Sequence, residues 1–101
     1  MQIDYTLSLD LTDACFAIGT QRDEVFAIVE HDIIAPLGDS PADWVFDLEM
    51  ISTAKRAIRM QQELHLDWST TALLLSLLDE RDRLRADNAL LRQQLQRFLQ
   101  E

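Results

Sequence analysis

Two histidines, one cysteine and eighteen carboxylates are the groups in this 101-residue chain with chemistry to offer. His31 lies between Glu30 and Asp32, and His65 between Leu64 and Leu66. Adjacent residues of a helix point in different directions, so neither run makes a catalytic constellation by itself. One cysteine with two scattered histidines is too few ligands for a zinc set. A nucleophile pair from Cys15 and His31 would depend on tertiary coincidence. Cys15 reads instead as a small buried hydrophobe. Gly19 and Gly38 are the only glycines, so no phosphate-cradling loop is present. The carboxylates carry no pocket signal. The sequence therefore predicts no enzyme, no metal and no cofactor.

The distribution of charge says more. The formal net charge is −9. Residues 1–50 hold eleven acids and a single base, Arg22; residues 51–101 hold eight bases and seven acids. All of the excess negative charge thus sits in the first half. Such a surface repels phosphate backbones and attracts basic protein surfaces. Simple solubility would also explain it.

The length fits one domain plus an extension, and 48% apolar residues suffice for a packed core. A lone cysteine excludes an intramolecular disulfide and fits a reducing compartment. The first ten residues carry no base and no long apolar run, which argues against a signal peptide. No apolar stretch is long enough to span a membrane. A cytoplasmic protein is expected.

Several elements must position these groups. Ile3, Tyr5, Leu7, Leu9 and Leu11 alternate with polar residues, as in a half-buried strand. Thr12 reads as an N-cap for a short helix over Ala14–Ile18, stopped at Gly19. Thr20 reads as the next cap, with Asp23 in capping-box position. Val25, Ile28 and Val29 then continue a second helix to Glu30 or His31, completing a helix-turn-helix unit. Ile33 and Ile34 begin an extended segment. The run Pro36-Leu37-Gly38-Asp39-Ser40-Pro41 is a turn, and Trp44-Val45-Phe46 a short strand. Together these predict a hairpin, or wing. Asp47 caps a third helix with Ile51, Ala54 and Ile58 inward and Met50, Ala57 and Leu64 beside them; it ends around Leu64 to Leu66. Asp67 or Ser69 opens the last helix, Ser69 being the better placed by spacing. Trp68 plugs the corner between the two helices.

The last third is a heptad. Leu77, Leu84, Leu91 and Phe98 recur every seven residues, and Leu74, Arg81, Asn88 and Leu95 precede them by three. Glu80 and Asp87 fall at g, and Arg85 and Arg92 at e. In a parallel pair these positions meet as opposite charges; in an antiparallel pair like charges meet. A polar Asn88 at an a position sets register. The pattern predicts dimerisation through Leu77, Leu84, Asn88 and Leu91. Leu78 and Leu99 widen the stripe, so packing against the chain's own globular part remains the alternative.

A helix-turn-helix, a wing, further helices and a C-terminal dimer helix resemble the plan of MerR-like winged-helix proteins. The spacing of Thr12, Gly19, Ile33-Ile34-Ala35-Pro36 and Trp44-Val45-Phe46-Asp47 carries that resemblance. A narrower one covers Leu11 to Phe98. The runs Trp44-Val45-Phe46-Asp47, Arg56-Ala57-Ile58-Arg59, Glu63-Leu64-His65-Leu66-Asp67-Trp68, Leu77-Leu78-Asp79 and Asn88-Ala89-Leu90-Leu91-Arg92 are similar to those of the CbpM chaperone modulatory family. The fold implied is mainly α with a small β-wing: a MerR-like winged helix over residues 1–66, then a coiled-coil helix over 67–101 as a dimerisation segment.

The resemblance implies a homodimeric inhibitor. It would bind the J-domain of CbpA, a DnaJ-type co-chaperone, and block stimulation of the Hsp70 chaperone DnaK. A bacterial cytoplasmic location follows, with the nucleoid reached only through the partner. A J-domain presents a basic helix, and the acidic half of this chain suits it. The contact residues expected are Asp23, Glu24, Glu30 and Asp32, with Asp43 and Trp44 on the wing. Neither nucleic acid nor membrane is an expected direct partner. Two other readings stay open. A MerR-like DNA-binding regulator would need bases on the second helix and wing. Residues 20–47 offer Arg22 alone against seven acids. A bare dimerisation module would need only the zipper.

Overall fold

The carboxylate of Asp10 opens the first helix. In the computed structural model, which describes residues 8–100, Asp10 Oδ1 accepts from the Asp13 backbone N–H at 2.8 Å. Helix α1 therefore runs Leu11–Ile18. Thr12, expected as the cap, is the second residue of the helix. Asp10 wins because its carboxylate reaches the free N–H three residues on, while Leu11 turns its side chain into the core. Gly19, at φ 85°, ends the helix, and its N–H donates to Cys15 O at 2.9 Å.

Helix α2 runs Arg22–Glu30, with Gln21 as its N-cap and no side-chain cap bond. The Thr20 hydroxyl does not cap, contrary to expectation; it donates to the Glu24 carboxylate. With Thr20 so engaged, the helix starts one residue later and Asp23 plays no capping-box role. His31 and Asp32 close the helix. Asp32 takes φ 59°, and the Ile33 N–H returns to Ile28 O at 3.1 Å. Asp tolerates this left-handed turn better than most side chains.

The wing is smaller than a regular hairpin. Phe46 exchanges both backbone bonds with Leu9, at 2.8 and 2.9 Å, and Val45 exchanges both with Leu37, at 2.8 and 3.2 Å. Successive residues of a strand bond to opposite sides. The Trp44–Phe46 segment thus joins the chain's beginning on one side to the wing's outer arm on the other. Of the expected N-terminal strand only Leu9 shows its pairing, since residues 1–7 lie outside the described residues; Leu11 already belongs to α1.

Gly38 makes the wing turn possible. Its φ is 117°, and a Cβ there would stand 2.5 Å from Asp43 O. Gly38→Ala should cost about 2 kcal/mol, from strain at positive φ and the clash together. Urea unfolding checks this; a midpoint equal to the parent's would refute it.

Helix α3 spans Leu48–Leu64, opened by Asp47, whose Oδ1 accepts from the Met50 N–H at 2.8 Å. Ile51, Ala54 and Ala57 are buried; Met50 and Ile58 are half-buried, and Leu64 is exposed. Helix α4 spans Trp68–Leu99, and its cap is Asp67 rather than Ser69. His65 ends α3 in the left-handed region at φ 54°, which leaves Asp67 Oδ1 2.7 Å from the Thr70 N–H. Bonds from Thr70 hold the Asp67 carboxyl below its ordinary range. The Thr71 hydroxyl, fully buried, donates to Asp67 O at 2.7 Å.

The core gathers Leu11, Ala14 and Ile18 of α1, Val25 and Ile28 of α2, Ile34, Phe46 and the inner face of α3. Trp44 packs between Phe26, at 5.6 Å, and Phe46, at 6.0 Å. Trp68 and Cys15 pack against the same core from its edge. Burial pushes the Cys15 thiol up, which keeps it neutral and poorly nucleophilic. Only the first part of α4 joins this core: Thr71 and Leu75 are buried, and every residue from Asp79 to Gln100 is exposed. The projecting helix raises the radius of gyration to 17.8 Å, against about 13 Å for a compact chain of this length.

Candidate functional site

Two helix-turn-helix helices, a wing and a bare helix leave two surfaces to consider. The first is the acidic face of the globular part. Asp23 and Glu24 stand in the first turn of α2, where the helix dipole favours carboxylates. With Gly19, Thr20 and Gln21 of the turn and Ile58 and Gln62 of α3, they line a cleft of about 430 Å³. The half-buried Ile58 supplies apolar surface and the acids supply charge. The lining suits a side chain with an aliphatic stem and a cationic head.

The other expected contacts are spread out. Glu30, exposed, ends α2. Asp32 forms the turn after it and lines a separate cleft of about 280 Å³ with His31, Ile33, Thr53, Arg56, Ser76 and Asp79. Asp43, exposed at the wing tip, accepts from the Ser40 hydroxyl at 3.1 Å. Trp44 is half-buried between two phenylalanines. The structure thus brings Asp23 and Glu24 together, sets Glu30 and Asp32 at the far end of α2, and gives Asp32 and Trp44 structural work as well.

Arg22, the one base of the first half, donates to Thr12 Oγ1 at 3.1 Å. It is tied to α1 rather than held out over a groove. Among the described residues no group of His, Cys, Asp and Glu is arranged to hold a metal. No described helix is long and apolar enough to cross a membrane.

Sequence patterning passed over Phe16, which stands 91% exposed on α1. On an isolated helix pattern it reads as one more apolar residue of the Leu11–Ile18 run. A helical wheel centred on Leu11, Ala14 and Ile18 puts it nearly opposite the buried face, and that was the available signal.

The second surface is α4. Leu77, Leu84 and Leu91 are 57%, 58% and 62% exposed, with Asn88 exposed among them. Leu74 and Leu78 turn partly inward toward α3, whereas Leu95 and Phe98 continue the outer stripe. The alternative of packing on the chain's own globular part holds for the start of α4 alone. Arg56 of α3 meets Asp79 at 3.8 Å where the helices part. Beyond it Glu80 pairs within its own helix with Arg83.

Comparison with known proteins agrees with this architecture. The model of the MerR HTH family of regulatory proteins matches residues 9–93. The chaperone modulatory protein CbpM of Pseudomonas entomophila is 44% identical over 94 residues, 93% of each chain. That of Pseudomonas putida is 42% identical over the same share of each. That of Citrobacter koseri is 39% identical over 97 residues, 96% of each. With the helix-turn-helix, the reduced wing and the long last helix in place, the chain belongs to the CbpM family of chaperone modulatory proteins, built on a MerR-type scaffold.

Proposed function

We propose that this protein modulates a chaperone system by binding the J-domain of a CbpA-like, DnaJ-type co-chaperone and blocking its stimulation of the Hsp70 chaperone DnaK. The observation that carries the reading is the charge split. Eleven acids against one base occupy residues 1–50, and the one base is held by Thr12. A MerR-type scaffold with that surface is poorly suited to a phosphate backbone and well suited to a basic helix.

Occlusion needs no chemistry. Acids on α2 and the wing steer the encounter, and burial of a few apolar groups sets the residence time. Asp23 and Glu24 are the first contacts, in the cleft floored by Ile58; Glu30, Asp32, Asp43 and Trp44 extend the surface. The protein acts as a cytoplasmic homodimer, paired through Leu77, Leu84, Asn88 and Leu91 of α4, with the opposite g and e charges favouring a parallel pair. Neither DNA nor membrane is a direct partner.

Calorimetric titration with the isolated J-domain, at two salt concentrations, tests this. Binding that weakens as salt rises is expected. Asp23→Lys with Glu24→Lys should lower affinity at least about tenfold at low salt. No complex at either salt would remove the reading, and tight duplex DNA binding with a steep salt slope would replace it with a regulator's.

A further inference from the structure

The acids account for attraction and not for retention, because exposed ion pairs contribute little once screened. A durable contact needs a desolvated apolar anchor. Phe16 is the candidate on the acidic part of the molecule. It is 91% exposed, more so than any other large hydrophobic residue among those described. The heptad of α4 does not include it. Nor does the core need it: Leu11, Ala14 and Ile18 are the residues α1 buries.

Its surroundings hold Asp13 on the same helix and one base, Arg22, reached through Thr12. Thr12 and Asp13 lie one turn earlier on the same face of α1. The Arg22–Thr12 bond brings the first turn of α2 against that face. An aromatic ring held on a rigid helix, in a half of the chain with eleven acids and one base, complements a helix whose apolar stripe is bordered by lysine or arginine. Arg22 is engaged by Thr12 and opposes that partner least.

We infer that Phe16 is the apolar anchor of the acidic face, seated in the apolar stripe of a basic amphipathic helix. This rests on the J-domain reading and assigns the residue that holds that partner. The ring loses almost all of its exposed area on docking, which is the condition for a hot spot. Its helix keeps its own core contacts throughout, so binding requires no rearrangement of the fold.

Phe16→Ala in the full chain separates the alternatives, titrated against the isolated J-domain at two salt concentrations. Thermal unfolding and sedimentation are run alongside. The expected result is about a thirty-fold loss of affinity, with the salt dependence, unfolding temperature and association state of the parent. Phe16→Leu should recover most of the affinity and Asp13→Ala should not reproduce the loss. Unchanged affinity in Phe16→Ala, with the parent still binding, overturns the anchor and leaves the J-domain reading intact. Loss of self-association with J-domain affinity retained also overturns it, making Phe16 a contact between copies. Failure of the parent itself to bind the J-domain removes both readings together.

Discussion

Phe46→Ala is expected to destabilise the protein by about 3–5 kcal/mol. A chain of this size has only about 5–15 kcal/mol in total. Phe46 is fully buried and is the largest side chain in that state. It bonds through its backbone to Leu9 and presents its ring to Trp44 at 6.0 Å. Truncation leaves a cavity between α1, the wing and α3 that rigid backbone cannot close. It also removes the wall on which Trp44 rests, so the wing loosens with the core. Val45, the preceding residue, faces the other way and is exposed. Val45→Ala should change stability by no more than about 0.5 kcal/mol. Urea unfolding of the pair decides the matter. A Phe46→Ala cost under about 1 kcal/mol would show that the core is not centred on this residue.

Replacing Leu84 and Leu91 together by Asp should turn an associating chain into a monomer and melt the outer part of α4. Both leucines are more than half exposed in the single chain, and no described residue from 79 to 100 is buried. Most helical stability in proteins comes from packing of an amphipathic face rather than from propensity, and paired seams are what sustain such segments. Four carboxylates forced into one seam would repel and remain unsolvated. Sedimentation should show a dimer for the parent and a monomer for the double variant. Far-UV circular dichroism should lose the signal of the outer helix, while the globular part unfolds at nearly the parent temperature. Association unchanged in the double variant would place the contact between copies elsewhere. Asn88→Leu is the companion: it should strengthen association and loosen its register.

The helix count, their order and the Asp47 cap were legible because apolar periodicity and capping chemistry are local. The starts read at Thr12 and Thr20 were displaced, and of the two caps open for the last helix the less favoured, Asp67, is the one used. Thr12, Thr20 and Ser69 are good caps by type, yet a cap also needs its oxygen over a free N–H, and the neighbouring chain decides that. Asp10 and Asp67 win where the incoming segment is extended. Thr20 is diverted to Glu24. The ends of α2 at Glu30 and of α3 at Leu64 were legible, although the left-handed residues beyond them, Asp32 and His65, are not glycines. The wing was legible as a hairpin and not as a junction, because the backbone partners of Val45 and Phe46 lie on opposite sides and far apart in sequence.

The acidic surface illustrates the same division. Eleven acids against one base could be counted in the chain, and that count alone argues for a basic partner. Only packing shows that Asp23 and Glu24 share a cleft with Ile58, that Asp32 shapes a turn, and that Trp44 stands between two rings.

What the sequence by itself determined is whatever depends on composition and short periods: four helices, a charge split and a heptad. Those follow from hydrophobic spacing and residue chemistry, which act within a few residues. The tertiary structure alone decided which apolar residues remain in water. Leu75 and Leu77 are two residues apart on one helix, yet α3 covers the first and leaves the second open. Phe16 stands opposite the buried face of α1, and its 91% exposure follows because α2 and α3 pack on the other side and nothing else among the described residues covers it. Burial is set by what arrives from distant parts of the chain, and an exposed anchor becomes visible only when every possible cover has found its place.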